Sequence, residues 1–299
     1  MKNFSLRQLR IFEATARLGK LNLSAQEHAI TQSAASQALK ELESQLGYPL
    51  FQRLGRELRI TPIGQELIPK VRKILSLSSG LTEPMNKVVG KLHIAASSTI
   101  GTYILPEILA RFKLDYPEVE LKLYIGNSHQ VIQALTYGDA YVGLIEGPIQ
   151  HQNIHVRPWQ VDQLCIFGAP THPLTHFKRV TLEQLNRQAW ILREIGSGTR
   201  SVFDRISTIN NIQPESILEL NQTEAIKSFV KSGAGIGCLS KWAISSELKS
   251  GELKHIESTL DFTRQLSILN IIDNPLNYTT QFFIDSISDK ANKNNIDLW

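Results

Sequence analysis

Residues 24–47, SAQEHAITQSAASQALKELESQLG, constrain the fold more than any other stretch, because they read as two short helices joined by a tight turn. Ser24 and Glu27 fit an S-x-x-E capping box, in which each side chain satisfies an orphan amide at a helix start. Ala25, Ala29 and Ile30 are expected to face inward, and Thr31 to cap the second helix. That helix carries Ala35, Leu39, Leu42 and Leu46 on one apolar face. Its other face begins with Gln32, Ser33, Ser36 and Gln37, short hydrogen-bonding side chains at the N-terminal end. A helix that enters the major groove by its N-terminus presents such residues to base edges, so these four are candidate DNA contacts. The plainer alternative is a helical hairpin with a solvated polar face.

The flanks favour DNA. Leu9, Phe12 and Ala16 mark a preceding helix that Gly19 is placed to end. After Tyr48-Pro49, residues 50–53 and 58–61 read as two short strands around a turn at 55–57, a wing. Arg53, Arg56 and Arg59 lie on or beside it, suited to phosphates or an adjacent minor groove. Charge is divided in the same sense. Residues 1–91 hold 14 Lys and Arg against 7 Asp and Glu, whereas residues 92–299 hold 18 against 21. A basic first third on an acidic remainder points to a polyanion partner for the first third.

Thr61-Pro62 is an N-cap followed by proline at the first helical position. Leu67, Val71, Ile74, Ser78, Leu81, Met85 and Val88 then follow 4 and 3 steps, a seam suited to a second copy of the chain. Pro69, Gly80 and Pro84 argue against one straight helix throughout, and the regular part is expected to end near Gly80. From Lys91 the texture changes to alternating strands and helices, the order of a parallel sheet whose ligands sit off the carboxyl ends of its strands. Strands are expected at 91–96, 118–125, 141–145, 164–167, 189–192, 217–220, 236–239 and 266–272. These make two similar halves, the chain crossing between them twice, with a cleft between. The fold class is α+β multi-domain. It comprises a winged helix-turn-helix (1–61), a linker and dimerisation helix with hinge (62–90) and an effector-binding domain (91–299). Within the last, 91–163 and 267–299 form one subdomain and 164–266 the other.

Ser97, Ser98 and Thr99 sit where a strand ends and a helix begins, so hydroxyls and free amides make an anion cradle there. Ser197, Gly198 and Thr199, in GSGTR, occupy the equivalent place in the second half. Two such helix starts facing each other favour a small oxyanion. Asn127 and Glu146, also at strand ends, are placed to line the cleft, and Glu146 is expected to engage a cation or Arg200, or to sit at the rim. GSGTR lacks the Lys-Ser/Thr ending of a P-loop, and GAGIG at 233–237 is a helix-to-strand turn. The eight histidines show no zinc spacing, and no catalytic triad or carboxylate pair can be nominated, so neither a metal, a cofactor nor enzymatic activity is expected. Cys165 and Cys238 are expected as buried free thiols rather than a redox switch. Arginines interrupt the apolar residues of the N-terminus and no run suits a membrane span, so a cytoplasmic chain is expected. The rival class is a ligand-binding or catalytic α/β protein without specific DNA binding.

The motifs SLRQLRIFEATARLG, TQSAASQALKELESQLGYPLFQR and ITPIGQEL, continuing into the α/β portion, resemble the LysR-type transcriptional regulators. That resemblance implies a winged helix-turn-helix, a dimerising linker helix and an effector domain like a type 2 periplasmic binding protein. It also implies assembly as a homodimer or dimer of dimers on double-stranded DNA. By motif position it carries DNA contact over to Gln32, Ser33, Ser36, Gln37, Arg53 and Arg56. Many relatives have Pro-x-x-Ser-Arg at that helix, where this chain has Ser33-Ala34-Ala35-Ser36-Gln37, a difference that bears on the operator read. ASSTIGTYILPEI, LIEGP, WILREIGSGTR and TEAIKSFVKSGAGIGCLS look closest to the YeiE and CysL subgroup. That subgroup is linked to sulfur metabolism, which makes sulfite the first candidate effector.

Overall fold

Local signals set the N-terminal helices in the computed structural model, which describes residues 4–54, 57–81, 86–147, 149, 151–272 and 274–293. Helix α1 (Leu6–Leu18) opens on a capping box between Ser5 and Gln8 and closes on Gly19 at φ 68°. Helix α2 (Leu21–Glu27) leads through a turn to α3 (Gln32–Leu46), where the Thr31 hydroxyl accepts the Ala34 N–H at 3.2 Å. Strands β1 (Phe51–Leu54) and β2 (Glu57–Ile60) pair antiparallel, and α4 (Pro62–Gly80) starts with Thr61 accepting from the Gly64 N–H. Leu9, Phe12, Leu39, Leu42, Leu50, Phe51, Ile68 and Val71 form the core of this unit.

Three sequence expectations fail here for identifiable reasons. Ser24 is not a cap: it is buried inside α2, and its hydroxyl donates to the Ile11 carbonyl at 3.2 Å. The helix begins earlier because Leu21 and Ala25, one turn apart, supply its inward face, and Glu27 pairs with Arg17 at 2.6 Å instead of closing a box. Ala29 is exposed at φ 50°, the left-handed position of a Schellman motif in which the Ile30 N–H reaches Ala25 O and the Ala29 N–H reaches Gln26 O. The third concerns α4. Val71 and Ile68 are buried in the unit's own core and Leu67 packs against it, while Ile63, Ile74, Leu77 and Leu81 are the exposed apolar residues. Of the expected seam, Ile74 and Leu81 are exposed, and Ile63 and Leu77 are exposed with them where Leu67 and Val71 turn inward. Met85 lies outside the described residues, and Val88 packs into the core of the second unit. Pro69 sits within α4, which ends at Gly80 as the sequence suggests.

The second compact unit covers residues 86–135 and 140–299. Its elements in order are β3 (Gly90–Ser97), a π-helical turn (Ile100–Ile104), α5 (Leu105–Asp115), β4 (Val119–Gly126), α6 (Ser128–Thr136) and β5 (Val142–Glu146). Then come β6 (Ile154–Gly168), α7 (Leu182–Leu185), β7 (Ala189–Arg193), α8 (Gly198–Ile209), β8 (Ser216–Leu220) and α9 (Thr223–Lys231). The chain finishes with β9 (Ile236–Ser240), α10 (Lys241–Ser250), β10 (Lys254–His255), β11 (Thr263–Ile271) and α11 (Tyr278–Lys293). The strand order is β4-β3-β5-β11-β6-β9-β7-β8.

Within each half the strands run parallel, β4-β3-β5 in one and β9-β7-β8 in the other. Strands β6 and β11 join them antiparallel, so the sheet is mixed rather than purely parallel. These two are the crossing segments. β6 pairs β11 from Ile154 to Gln163 and then β9 from Leu164 to Phe167. Its first half escapes a sequence reading because Pro158 interrupts it, and the register shift between Leu266 and Ser267 accommodates that proline. Separate apolar clusters fill the two halves, around Ile94, Leu144 and Phe283 in one and around Ile166, Trp190 and Phe203 in the other. No helix among the described residues is long and apolar enough to cross a membrane.

Candidate functional site

In open α/β sheets ligands bind beyond the carboxyl ends of the strands. Here β3 ends at Ser97, β4 at Gly126, β5 at Glu146 and β7 at Arg193, and the chemistry off those ends divides into two clusters.

The first is sealed. Arg264 on β11 faces Asp162 on β6 in register, its Nε 2.7 Å and Nη2 2.6 Å from Oδ2. Nη1 donates to Thr199 Oγ1 at 2.9 Å and lies 3.6 Å from Glu146, and Nη2 reaches Thr99 Oγ1 at 3.4 Å. Asp162 Oδ1 accepts from Ser240 Oγ and the Gln163 N–H. Ser97 Oγ donates to Glu146 through a short hydrogen bond. Ser97, Thr99, Glu146, Ser197 and Thr199 are all at most 4% exposed. Gly198 packs so tightly on β5 that a side chain there would collide with the Glu146 carbonyl oxygen.

The place expected to cradle an oxyanion is thus occupied by the protein's own carboxylates and guanidinium. Glu146 is neither at a rim nor paired with Arg200, which bonds instead to Asp204 at 2.8 Å and Glu219 at 3.1 Å. Its cation is Arg264, 118 positions along the chain from it, a distance no local spacing could bridge.

The second cluster lines an open cleft of about 550 Å³. Ser98 and Asn127 are the two sequence candidates found on it; Arg193, Glu194, Gln130 and residues 221–224 join them. Arg193 Nη2 donates to Ser98 Oγ at 3.2 Å, and Ser98 Oγ donates to the Gly126 carbonyl at 3.1 Å. Arg193 Nε and Nη2 also fork onto Glu194 at 2.8 and 3.1 Å, and Asn127 Nδ2 donates to the same carboxylate at 3.1 Å. Burial opposes ionisation of Glu194, but the hydrogen bonds and charge of Arg193 outweigh it and hold the carboxyl below its usual range. On the same cleft α9 begins at Thr223 with no side chain capping its first amides, a feature that attracts oxyanions. Tyr103 donates to Glu224 at 3.0 Å, and burial together with that carboxylate raises its phenol, keeping it a donor. The sequence reading missed Arg193 and Glu194; the signal for them is two charges ending the apolar run WIL, one residue before GSGTR.

Cys165 and Cys238 are buried free thiols. Burial pushes Cys165 up to about 11 and raises Cys238 further, and the pairing of Cys238 with Ile166 puts the two sulfurs on opposite sheet faces.

In the N-terminal unit Gln32, Ser33 and Gln37 are exposed on the first turns of α3, and Ser36 is half-buried beside them. Gln37 Nε2 donates to Glu41 at 2.8 Å, and the Ser33 and Thr31 hydroxyls lie 2.9 Å apart. Arg53 is on β1 and Arg59 is exposed on β2, while Arg56 lies outside the described residues.

A helix-turn-helix with a two-stranded wing, followed by a cleft between two α/β halves, defines a ligand-responsive DNA-binding regulator. Residues 6–65 match the bacterial regulatory helix-turn-helix protein of the lysR family, and residues 86–291 match the LysR substrate binding domain. The chain belongs to the LysR family of transcriptional regulators. It is 40% identical over 254 residues to the protein named uncharacterized HTH-type transcriptional regulator YeiE of Escherichia coli K12, covering 85% of this chain and 86% of that one. With the HTH-type transcriptional regulator CysL of Bacillus subtilis it shares 31% over 268 residues, covering 88% and 89%. A full-length OxyR variant from Pseudomonas aeruginosa has the same fold, with TM-score 0.79 at 22% identity, covering 97% of this chain and 95% of that one. The CcmR regulatory domain of Synechocystis, solved in complex with 2-PG, superposes with TM-score 0.64 at 27% identity, covering 68% and 97%.

Proposed function

We propose that this regulator controls transcription in response to a small oxyanion held in the cleft of its second unit, with sulfite as first candidate and sulfur metabolism as its setting. One observation carries the reading: the buried guanidinium of Arg193, held by Ser98, and the uncapped start of α9 line the same open cleft. Forked N–H donors and helix-start amides are the groups that recognise oxyanions. Sulfite follows from the resemblance of the sequence motifs to the YeiE and CysL subgroup, and the 2-PG complex of the CcmR domain supports a ligand in this kind of unit.

The working form is a cytoplasmic homodimer or dimer of dimers, joined through the exposed Ile74 and Leu77 of α4 and Leu81 just after it. It binds double-stranded DNA through Gln32, Ser33, Ser36, Gln37, Arg53 and Arg56, and it regulates rather than catalyses. Effector changes DNA binding by the difference in its affinity for the two arrangements of the assembly, and by no more than that.

Thermal unfolding of the full chain against sulfite, sulfate, thiosulfate and phosphate tests the effector. A ligand at a hundred times its dissociation constant adds about 2.7 kcal/mol, a clear rise in Tm; absence of any shift would remove the oxyanion reading. Salt titration of DNA affinity tests the rest. Arg53→Ala is expected to weaken binding and reduce the salt slope by about 1, and an unchanged slope would remove Arg53 from the interface.

A further inference from the structure

Arg193 is the one cation among the described residues lining the cleft, and it is already engaged. Its Nε and Nη2 hold the two oxygens of Glu194, the fork-on-fork geometry that a bound oxyanion would need. Successive side chains along a strand point to opposite faces, yet Arg193 and Glu194 meet. β7 ends at Arg193, so the turn that follows brings the Glu194 side chain back over its neighbour. The two partners are unequally fixed. Arg193 is 2% exposed and tied to Ser98, whereas Glu194 is 17% exposed at the cleft surface. The carboxylate can turn away into water; the guanidinium cannot follow. The other cleft carboxylate, Glu224, has its own cation in Lys227 at 2.7 Å, so it does not compete for Arg193.

We propose that Glu194 is a resident competitor for the effector's seat on Arg193, and that it sets the specificity of the cleft. The inference rests on the oxyanion reading above. An incoming anion must displace a carboxylate that is already in place, so it succeeds only by offering more charge or more acceptors than one carboxylate does. A dianionic oxyanion meets that requirement and a simple monocarboxylate does not. Displacement also releases Asn127 Nδ2, which reaches Glu194 from the other half of the unit. Effector binding therefore removes one of the polar bridges across the cleft, and this couples occupancy to the relation between the halves.

The test uses the full chain and three probes, sulfite, sulfate and acetate, with affinities from calorimetry. Glu194→Gln keeps the shape and loses the charge. It is expected to bind sulfite and sulfate about tenfold more tightly, equivalent to about 1.4 kcal/mol, and to gain measurable acetate binding. Glu194→Asp, too short to fork onto both nitrogens, should fall between the two in its sulfate-to-acetate ratio. A purely structural role would lower affinity for all three probes and leave that ratio alone. Wild-type binding with no gain in Glu194→Gln would overturn the competitor while leaving the oxyanion cleft intact. Binding of no probe to either protein would overturn the cleft reading and the competitor with it.

Discussion

Two guanidinium–carboxylate clusters lie in the same α/β unit, and they are built for opposite ends. Around Arg264 the carboxylates of Asp162 and Glu146 and the hydroxyls of Ser97, Thr99, Thr199 and Ser240 have protein partners, and these residues are at most 4% exposed. Around Arg193 the same chemistry stands at an open wall, with a partner that is its own neighbour in sequence. The first cluster ties the halves at their crossover; the second has a carboxylate at the cleft surface. Residue type therefore does not mark a ligand site in this fold. Access from the cleft is what sets the Arg193 cluster apart.

The sharpest way to break this contrast is to remove each arginine's role in turn. Arg264→Met strands Asp162 and Glu146 without their cation in a dry interior and is expected to cost about 3–5 kcal/mol in urea unfolding. A loss under about 1 kcal/mol would mean that the sealed cluster is not a structural tie. Thr199→Ala and Ser98→Ala, one from each half, should then separate cleanly. Thr199→Ala removes an acceptor from Arg264 Nη1 and should lower stability by about 1–3 kcal/mol with oxyanion affinity unchanged. Ser98→Ala should weaken sulfite or sulfate binding by about threefold to tenfold with little change in stability. If Thr199→Ala weakens binding and Ser98→Ala does not, the ligand sits in the sealed cluster after all.

The smallest effect is a pH dependence. Arg193 lowers the carboxyl of Glu194 in the folded chain, so the pair's contribution is fully present above the unfolded value of about 4.3. It is lost as pH falls through the lower folded value. Stability measured from pH 6 downward, a range set about the usual carboxylate values, should therefore fall less steeply in Glu194→Gln than in the wild type, by under about 1 kcal/mol. Identical acid limbs would show that the pair adds nothing to folding.

Sequence alone determined most of the N-terminal elements and the strand-helix alternation that follows, because the signals for them are local. Thr31 and Thr61 cap helices as their neighbours demand, Gly19 and Gly47 end them in the left-handed conformation, and the apolar spacing of α3 selects its inward face. It also placed short polar side chains on the first turns of α3 and hydroxyls at the ends of β3 and before α8. What it left open was which way those hydroxyls look. Ser97 and Ser98 are adjacent, yet one donates to the buried Glu146 and the other meets Arg193 at the cleft. Ser24 looked like a cap until packing against α1 drew it inside a helix, and Val71 looked like part of a dimer seam until α4 turned it toward its own core. Arg264 reaches Asp162, 102 positions away, because two antiparallel crossing strands put them in register. Long-range pairing of this kind has no local signature. Tertiary structure alone decided which arginine is sealed in and which lines an open cleft, since burial and partners are properties of the folded chain.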